Sequence, residues 1–477
     1  MTVIFMKKDS YNMYALLILQ LIFNYDTVNS WNVYGFLESQ IPEQVHIALG
    51  EKPSTISVTW VTQENTESST VLYGTERLNM KSTGYVKEFV DGGREQRVMY
   101  IHRVIITDLI GNTLYNYKCG SMDGWSPVLQ FRALPSHPYW SPRLAVYGDM
   151  GAVNATVLPE LIHEVNELDN FDMILHVGDF AYNMDSDNGR VGDKFMRNIQ
   201  PIASRVPYMT CVGNHEAAYN FSNYKARFSM PGGDGESQFY SFNVGPAHIV
   251  AFSSELYYFL FYGWESVVAQ YDWLIRDLNE ANKPENRKIH PWIIVMGHRP
   301  MYCSNNFDPM HCDFVDNIIR TGFAVTHHWQ YKKYILGLED LFYKNGVDLI
   351  VAGHEHSYER FWPVYNRTVC NSTTSRNPYE NPNAPVHIVS GAAGSDEGKD
   401  AFLDGGKPWS AFRSNDFGFT RMVVHNYTHL EIEQVSVEKE RTGEVIDSFT
   451  IIKEKHGPGL YTCHNPDTQH KNIFENM

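Results

Sequence analysis

The sequence is poor in basic residues relative to acidic ones. Its 39 lysine and arginine residues are outnumbered by 55 acidic residues, and the formal net charge is -16 at pH 7. Surfaces that bind nucleic acid or anionic membranes need clustered lysine and arginine, so this balance argues against both as partners. An acidic protein can still bind an anionic substrate where metal ions dominate the local field.

Long hydrophobic runs are also lacking. The apolar stretch from Ala15 to Phe23 covers nine residues, which is too short to cross a bilayer core of about 30 Å. It follows the basic pair Lys7 and Lys8 and precedes the small residue Ser30. This order is typical of a secretory signal. We therefore expect a signal peptide over residues 1–30, a secreted or lysosomal location, and no membrane span after the signal is removed.

Asn-x-Ser/Thr sequons support the secretory route, because they act as glycosylation sites only there. The five predicted sites are Asn154, Asn220, Asn366, Asn371 and Asn426.

Cysteine is scarce, with six residues in 477. Six cysteines allow fifteen pairings, which sequence alone does not resolve. Cys303 and Cys312 flank a short polar loop, and we predict a disulfide between them. Cys211 lies in an apolar run, so we expect it to be a buried free thiol.

Residues 38–134 alternate between apolar and polar positions in short runs separated by glycine, proline and asparagine. This pattern predicts a β-sandwich, with Trp60 in its core. Residues 109–117 resemble the tyrosine-corner strand of fibronectin type III domains. Acids, histidines and cysteines do not cluster in this segment, which favours a structural or positioning role.

A proline-rich linker, "PSHPYWSP", ends this segment. Over residues 141–455, buried apolar runs alternate with amphipathic stretches such as "LPELIHEVNEL", "YDWLIRDL" and "YILGLEDLF". Strands that alternate with helices predict an α/β domain. Residues 456–477 form a polar tail. The fold class predicted for the chain is therefore α/β, with an N-terminal fibronectin III-like β-sandwich.

Five apolar runs of the second domain end in glycine followed by a residue type that binds metals. Because ligands bind at the carboxyl ends of strands in an open α/β sheet, these residues should converge on one edge. A single Gly-Asp or Gly-His pair is usually an ordinary turn, but five in order are not a coincidence. Tyr182 and His356 lie shortly after two of these strand ends and are also of types that bind metals. The predicted metal ligands are therefore Asp149, Asp179, Tyr182, Asn214, His298, His354 and His356.

Carboxylate, amide, imidazole and phenolate groups together suit iron, manganese or zinc rather than a thiolate-bound structural zinc. Asp179 can bridge two metals, because a carboxylate has two oxygens. Two metals about 4 Å apart form the clamp that is used for in-line displacement at phosphorus.

The ordered motifs Gly-Asp-x-Gly, Gly-Asp-x-x-Tyr, Gly-Asn-His-Glu, Val-x-x-His and Gly-His-x-His resemble those of the purple acid phosphatases, within the calcineurin-like metallophosphoesterases. Tyr182 makes the resemblance specific, since a tyrosine ligand separates this family from the wider superfamily. The resemblance covers nearly the whole chain after the signal. It implies an α/β/β/α sandwich and the long, two-domain form of the family.

The resemblance also implies roles for these residues. Asp149, Tyr182 and His356 would hold Fe(III), whereas Asn214, His298 and His354 would hold a divalent zinc, iron or manganese ion, with Asp179 bridging. His215 would contact the phosphate and stabilise charge in the transition state. A metal-bound hydroxide would attack a small phosphomonoester at acidic pH.

The general acid for the leaving alcohol is the weakest assignment. We predict His311 for this role, with His327 and His328 as alternatives. Phosphodiester or nucleotide pyrophosphate hydrolysis at the same site remains an alternative function, as does a non-enzymatic extracellular binding protein that uses the β-sandwich. The sequence also leaves open whether the protein forms a homodimer.

Overall fold

The computed structural model describes residues 39–305, 317–327 and 331–463. The predicted signal peptide lies outside these residues, as do His311, Cys312 and His328 and the side chain of His327. The disulfide between Cys303 and Cys312 and the proton-donor role of His311 therefore stay predictions.

The N-terminal part is a β-sandwich whose two sheets have strand orders β1-β2-β6-β5 and β4-β3-β7-β8. Its strands are β1 (Glu43–Leu49), β2 (Ile56–Thr62), β3 (Thr70–Gly74), β4 (Met80–Thr83), β5 (Tyr85–Val90), β6 (Val98–Ile106), β7 (Leu114–Gly120) and β8 (Leu129–Arg132). Trp60 is fully buried and stacks on His102. The Tyr115 hydroxyl accepts a hydrogen bond from the Ile110 backbone N–H at 3.1 Å, as a tyrosine corner requires.

The second part carries helices among its strands. The strands are β9 (Arg143–Tyr147), β10 (Met150–Gly151), β11 (Met173–Val177), β12 (Phe180–Ala181), β13 (Tyr208–Cys211), β14 (Tyr240–Val244), β15 (Ala247–Ala251), β16 (Trp292–Met296), β17 (Gly322–His327), β18 (Tyr331–Leu336), β19 (Leu349–Ala352), β20 (Tyr358–Phe361), β21 (Val364–Tyr365), β22 (Thr368–Val369), β23 (Val386–Ser390), β24 (Ser410–Ser414), β25 (Gly418–Val424), β26 (His429–Ser436) and β27 (Glu444–Ile452). The helices are α1 (Leu158–Asn166), α2 (Arg190–Ala203), α3 (Ala218–Arg227), α4 (Glu265–Ala281), α5 (Pro284–Arg287), α6 (Ile318–Thr321) and α7 (Glu339–Lys344).

Two mixed sheets build this second part. The first has the order β13-β11-β9-β25-β26-β27, and the second has the order β14-β15-β16-β19-β23-β20-β24. Strands β9, β11 and β13 run parallel to one another, as do β15, β16, β19 and β23. These parallel strands, with helices among them, confirm the predicted α/β class.

The alternation of side chains along β16 shows how the second sheet is covered on both faces. Ile294 and Met296 belong to the core that the two sheets share. Ile293 and Val295 point the other way and pack with Leu274 and other residues of α4 and α7. Because both faces are buried, β16 is a continuous apolar run rather than an alternating one.

Two sequence-based expectations are tested by the structure, which also pairs two cysteines that the sequence left open. Cys211 is a buried free thiol, as predicted. The stretch "YILGLEDLF" is not one helix: β18 runs to Leu336, and α7 begins only at Glu339. Gly337 lies between them, and a side chain there would meet the backbone of Arg320. A disulfide joins Cys370 to Cys463, which the sequence left unassigned.

None of the described helices is long and apolar enough to cross a bilayer.

The buried His102 leads to a prediction about acid stability. Its ring nitrogens contact the hydroxyls of Thr62 and Ser69, and burial lowers its pKa to about 4. The unfolded chain binds a proton near pH 6.5, whereas the folded chain does not, so the free energy of unfolding should fall between pH 6.5 and 4. The contribution is about 3 kcal/mol.

We expect His102→Gln, which cannot titrate but can still hydrogen-bond, to lose this part of the pH dependence. Denaturant unfolding of both proteins at pH 7 and pH 4.5 measures it. The stability advantage of the wild type over the variant should shrink at the lower pH. An advantage that is equal at both values would contradict the assignment.

Candidate metal centre

The predicted ligands lie at strand ends, but not on one sheet. Asp149 follows β9, Asp179 follows β11, and Asn214 follows β13 in the first sheet. His298 and His354 follow β16 and β19 in the second sheet. The expectation of a single open sheet edge is therefore wrong in this detail. The carboxyl ends of two facing sheets meet, and the site lies between them.

The sharp turns at these strand ends fall mostly on the ligand residues themselves. The φ angles of Asp149, Asp179 and His354 are 63°, 54° and 72°. Glycine is needed beside them for space: a Cβ at Gly353 would lie 2.5 Å from Asp149 Oδ2, and one at Gly213 would lie 2.2 Å from Asp179 Oδ1. Glycine therefore precedes these predicted ligands mainly because neighbouring strand ends approach each other closely. The turn of the chain is a lesser reason.

One half of the site surrounds His298 Nε2. This atom lies 3.1 Å from Asp179 Oδ2, 3.1 Å from Asn214 Oδ1 and 3.3 Å from His354 Nδ1. Asp179, His298 and His354 each offer a ligand atom within 4.8 Å of the others. Four donor atoms of different types thus converge from both sheets.

The other half is formed by Asp149, Tyr182 and His356. The Tyr182 hydroxyl lies 2.8 Å from His356 Nε2 and 3.4 Å from Asp149 Oδ1. His356 Nε2 lies 3.8 Å from the same aspartate oxygen. The structure therefore brings all seven predicted ligands into two adjoining groups.

The charges of the site fit a cation. Burial, with the neighbouring charge of Asp179, raises the pKa of Asp149 well above its usual range. For His298, burial favours the neutral form, but the ion pair with Asp179 outweighs it and raises the pKa to about 10. A proton on His298 thus balances Asp179 at the position where the donor atoms converge. A metal cation could replace that proton.

The surroundings of Tyr182 also fit a bound cation. Burial, together with Asp149 and Asp179, raises the pKa of its hydroxyl well above 10. A tyrosinate beside two carboxylates needs a strong positive charge in contact with it. A trivalent metal ion in the second group would supply that charge.

His215 lies at the edge of the site, where it is partly exposed. Its backbone N–H donates to Asp179 Oδ1 at 2.9 Å, and its Nδ1 donates to Asn183 Oδ1 at 2.7 Å. With Nδ1 engaged in this way, Nε2 is left to face the site, 3.9 Å from Asp179 Oδ2 and 3.6 Å from Glu397 Oε1. In the doubly protonated form, Nε2 could donate to an anion bound there.

Sequence reasoning missed several residues that hold these groups in place. Glu216 accepts the backbone N–H groups of Asp179, Phe180 and Gly213, and so ties two ligand turns together. Its position directly after His215 in Gly-Asn-His-Glu was a usable signal. Asn183, which orients His215, follows the predicted ligand Tyr182 and had no pattern of its own.

Comparisons with known proteins agree with this geometry. The Calcineurin-like phosphoesterase family matches residues 142–358. The N-terminal domain of purple acid phosphatases matches residues 42–133, and the Iron/zinc purple acid phosphatase-like protein C family matches residues 384–448. Together these matches span both structural parts of the chain.

Individual relatives cover most of the sequence. Acid phosphatase type 7 of Danio rerio is 50% identical over 423 residues, which cover 88% of this chain and 93% of the relative. Acid phosphatase type 7 of Homo sapiens is 49% identical over 426 residues, which cover 89% and 93%.

A solved structure also matches, that of purple acid phosphatase PPD1 from seeds of yellow lupin (Lupinus luteus). Its TM-score is 0.70 at 25% identity, over 87% of this chain and 75% of the lupin chain. This match confirms the fold. Together with the family matches and the relatives, it shows that the chain belongs to the purple acid phosphatase family and is an acid phosphatase built on the calcineurin-like phosphoesterase domain.

Proposed function

We propose that this protein hydrolyses small phosphomonoesters at acidic pH, using a dinuclear centre of Fe(III) and a divalent zinc, iron or manganese ion. The observation that carries this proposal is the pair of adjoining donor groups, which the carboxylate of Asp179 could serve together because it has two oxygens. When bound, the two metals would supply Lewis acidity, which activates water and neutralises charge on the phosphoryl oxygens.

The two groups differ in the charge they would support. Asp149 and Tyr182 offer anionic oxygens, which suit a trivalent ion. Asn214, His298 and His354 are neutral ligands that suit a divalent one. Asp179 would be shared between the groups. Its Oδ2 lies 3.1 Å from His298 Nε2 in one group, and its charge adds to the effect of burial in raising the pKa of Asp149 and of Tyr182 in the other.

His215 would bind the phosphoryl group. Its Nδ1 proton is engaged by Asn183, so a proton on Nε2 would be available to a phosphoryl oxygen. A donor aimed at developing negative charge lowers the barrier when it is positioned in advance. Protonation of the leaving alcohol would fall to His311, which lies outside the described residues and keeps this role as part of the proposal.

We further propose that the protein takes the secretory route and carries N-glycans. Asn154, Asn220, Asn371 and Asn426 are exposed, and Asn366 is partly exposed in the turn between β21 and β22. An enzyme of the secretory pathway could work outside the cell or in lysosomes.

Tyr182→Phe should bleach the colour of the iron-loaded protein, because the visible band arises from charge transfer between tyrosinate and Fe(III). The visible absorption spectrum and the iron content should be measured together. Tyr147→Phe is the matched control, since the Tyr147 hydroxyl is buried but donates to Tyr208 rather than to the metal site. A band that persists in the Tyr182 variant would contradict the ligand assignment.

Asp179→Asn should abolish phosphatase activity and reduce the content of both metals. The bridging position affects both groups at once, so the loss should exceed the ~10–100-fold that is typical of residues behind the ligands. Turnover of a chromogenic phosphomonoester and metal analysis by mass spectrometry measure the two effects. Asp123→Asn, at a partly exposed bend of the N-terminal domain, is the control and should leave both unchanged.

His215→Ala should lower kcat by ~10²–10³-fold while both metals stay bound, because it removes a single donor to the transition state. Asn183→Ala should give a smaller loss, since His215 remains but is no longer held by its Nδ1. Steady-state kinetics on the metal-loaded proteins would show this order. Equal kcat in wild type and the His215 variant would remove His215 from the mechanism.

A further inference from the structure

The outer nitrogens of the three metal-facing histidines meet different chemical groups. His298 Nδ1 lies 2.9 Å from the carbonyl oxygen of Val177. His354 Nε2 lies 3.1 Å from Nη1 of Arg299. His356 Nδ1 lies 3.6 Å from Oδ2 of Asp400. The three histidines therefore have a neutral, a cationic and an anionic neighbour, respectively.

Asp400 is built into the structure around His356. The same Oδ2 atom accepts the backbone N–H of His356 at 2.7 Å, and the backbone N–H of Asp400 donates to the His356 carbonyl at 3.3 Å. Side-chain amides of Asn305 and Asn415 donate to the Asp400 carbonyl. Asp400 is only 6% exposed. Its carboxylate is thus fixed on the side of His356 that faces away from Tyr182.

Arg299, the cationic neighbour of His354, is also held by several contacts, in the group of Asn214, His298 and His354. Arg299 Nε donates to both carboxylate oxygens of Glu255, at 2.9 and 3.0 Å. Its guanidinium also lies over the ring of Tyr258. The group with anionic ligands thus has a carboxylate behind its histidine, and the group with neutral ligands has a guanidinium behind one of its histidines.

A carboxylate at the outer nitrogen of a ligating histidine fixes the ring and makes it a stronger electron donor. A stronger donor stabilises the higher charge of a metal ion. We propose that Asp400 is a positioning residue that acts through His356 to favour trivalent iron in the group of Asp149, Tyr182 and His356. This inference rests on the proposed dinuclear centre and adds the reason why one half would hold the more highly charged ion.

The test compares the iron-loaded wild type with Asp400→Asn and Asp400→Glu. Asparagine keeps an oxygen for the His356 backbone N–H but removes the charge. The Fe(III) should then become more electron-poor, so the tyrosinate band should move to longer wavelength and the Fe(III)/Fe(II) reduction potential should rise. Affinity for iron should fall by ~10–100-fold. Asp400→Glu keeps the charge but displaces the carboxylate, so it should give smaller shifts in the same direction.

Asp396→Asn is the control, because Asp396 is an exposed carboxylate of the same segment that accepts backbone N–H groups of Val153 and Asn154. It should leave the band and the potential at their wild-type values. Circular dichroism and metal analysis confirm that each variant is folded and loaded. If Asp400→Asn does not fold, the band position and the reduction potential of Asp400→Glu test the proposal.

An unchanged band and potential in a folded, iron-loaded Asp400 variant would overturn the role of Asp400. Equal shifts in the Asp396 variant would overturn it as well, since the effect would then be a general one of charge. A wild type that binds no iron and shows no band would instead defeat the proposed dinuclear centre itself, so the two failures can be told apart.

Discussion

Two buried carboxylates, Asp149 and Asp179, lie where the carboxyl ends of two sheets meet, and the site depends on how their charge is balanced. The exposed fraction is 0% for Asp149 and 1% for Asp179. Like charges in a buried place raise each other's pKa or attract a cation. The protein surrounds this pair with imidazoles, an amide and a phenol, so that a bound cation would gain several ligands at once. Metal binding and the closeness of the two sheets are therefore parts of one electrostatic arrangement.

This arrangement requires strained backbone conformations. Left-handed conformations at Asp149, Asp179 and His354 cost of order 1 kcal/mol each or more, and persist only where the surrounding structure fixes them. The fixing contacts are visible: His354 N–H donates to the Asp149 carboxylate, and Asp179 N–H donates to Glu216. Each of these strained residues is thus held by a hydrogen bond to or from another part of the site.

The sequence predicted the strand ends and the seven clustered residues because glycine before a polar residue recurs after each apolar run. The strand-end pattern alone did not predict that the strands divide between two sheets, since a hydrophobic run does not indicate which strands pair with it. The two sheets followed only from the α/β/β/α sandwich that the family resemblance implied. Asp400 was missed because it belongs to a loop after β23 without a repeated pattern. The disulfide of Cys370 with Cys463 spans 93 residues, and no local feature marks it. The β18 strand was mistaken for helix because short apolar runs fit both periods.

The N-terminal sandwich was expected only to support or position, and its contacts show how it can affect the site at a distance. Arg103 donates to the carbonyls of Ala226 and Phe228, at the end of α3. A cation there favours the helix, because the last carbonyls lack partners within it. Arg97 pairs with Asp193 of α2 at 2.6 Å. Helix α3 follows the turn that carries Asn214 and His215, and α2 follows the segment of Tyr182. The sandwich therefore braces the helices that follow two segments of the candidate metal centre, without contributing any of the seven predicted ligands.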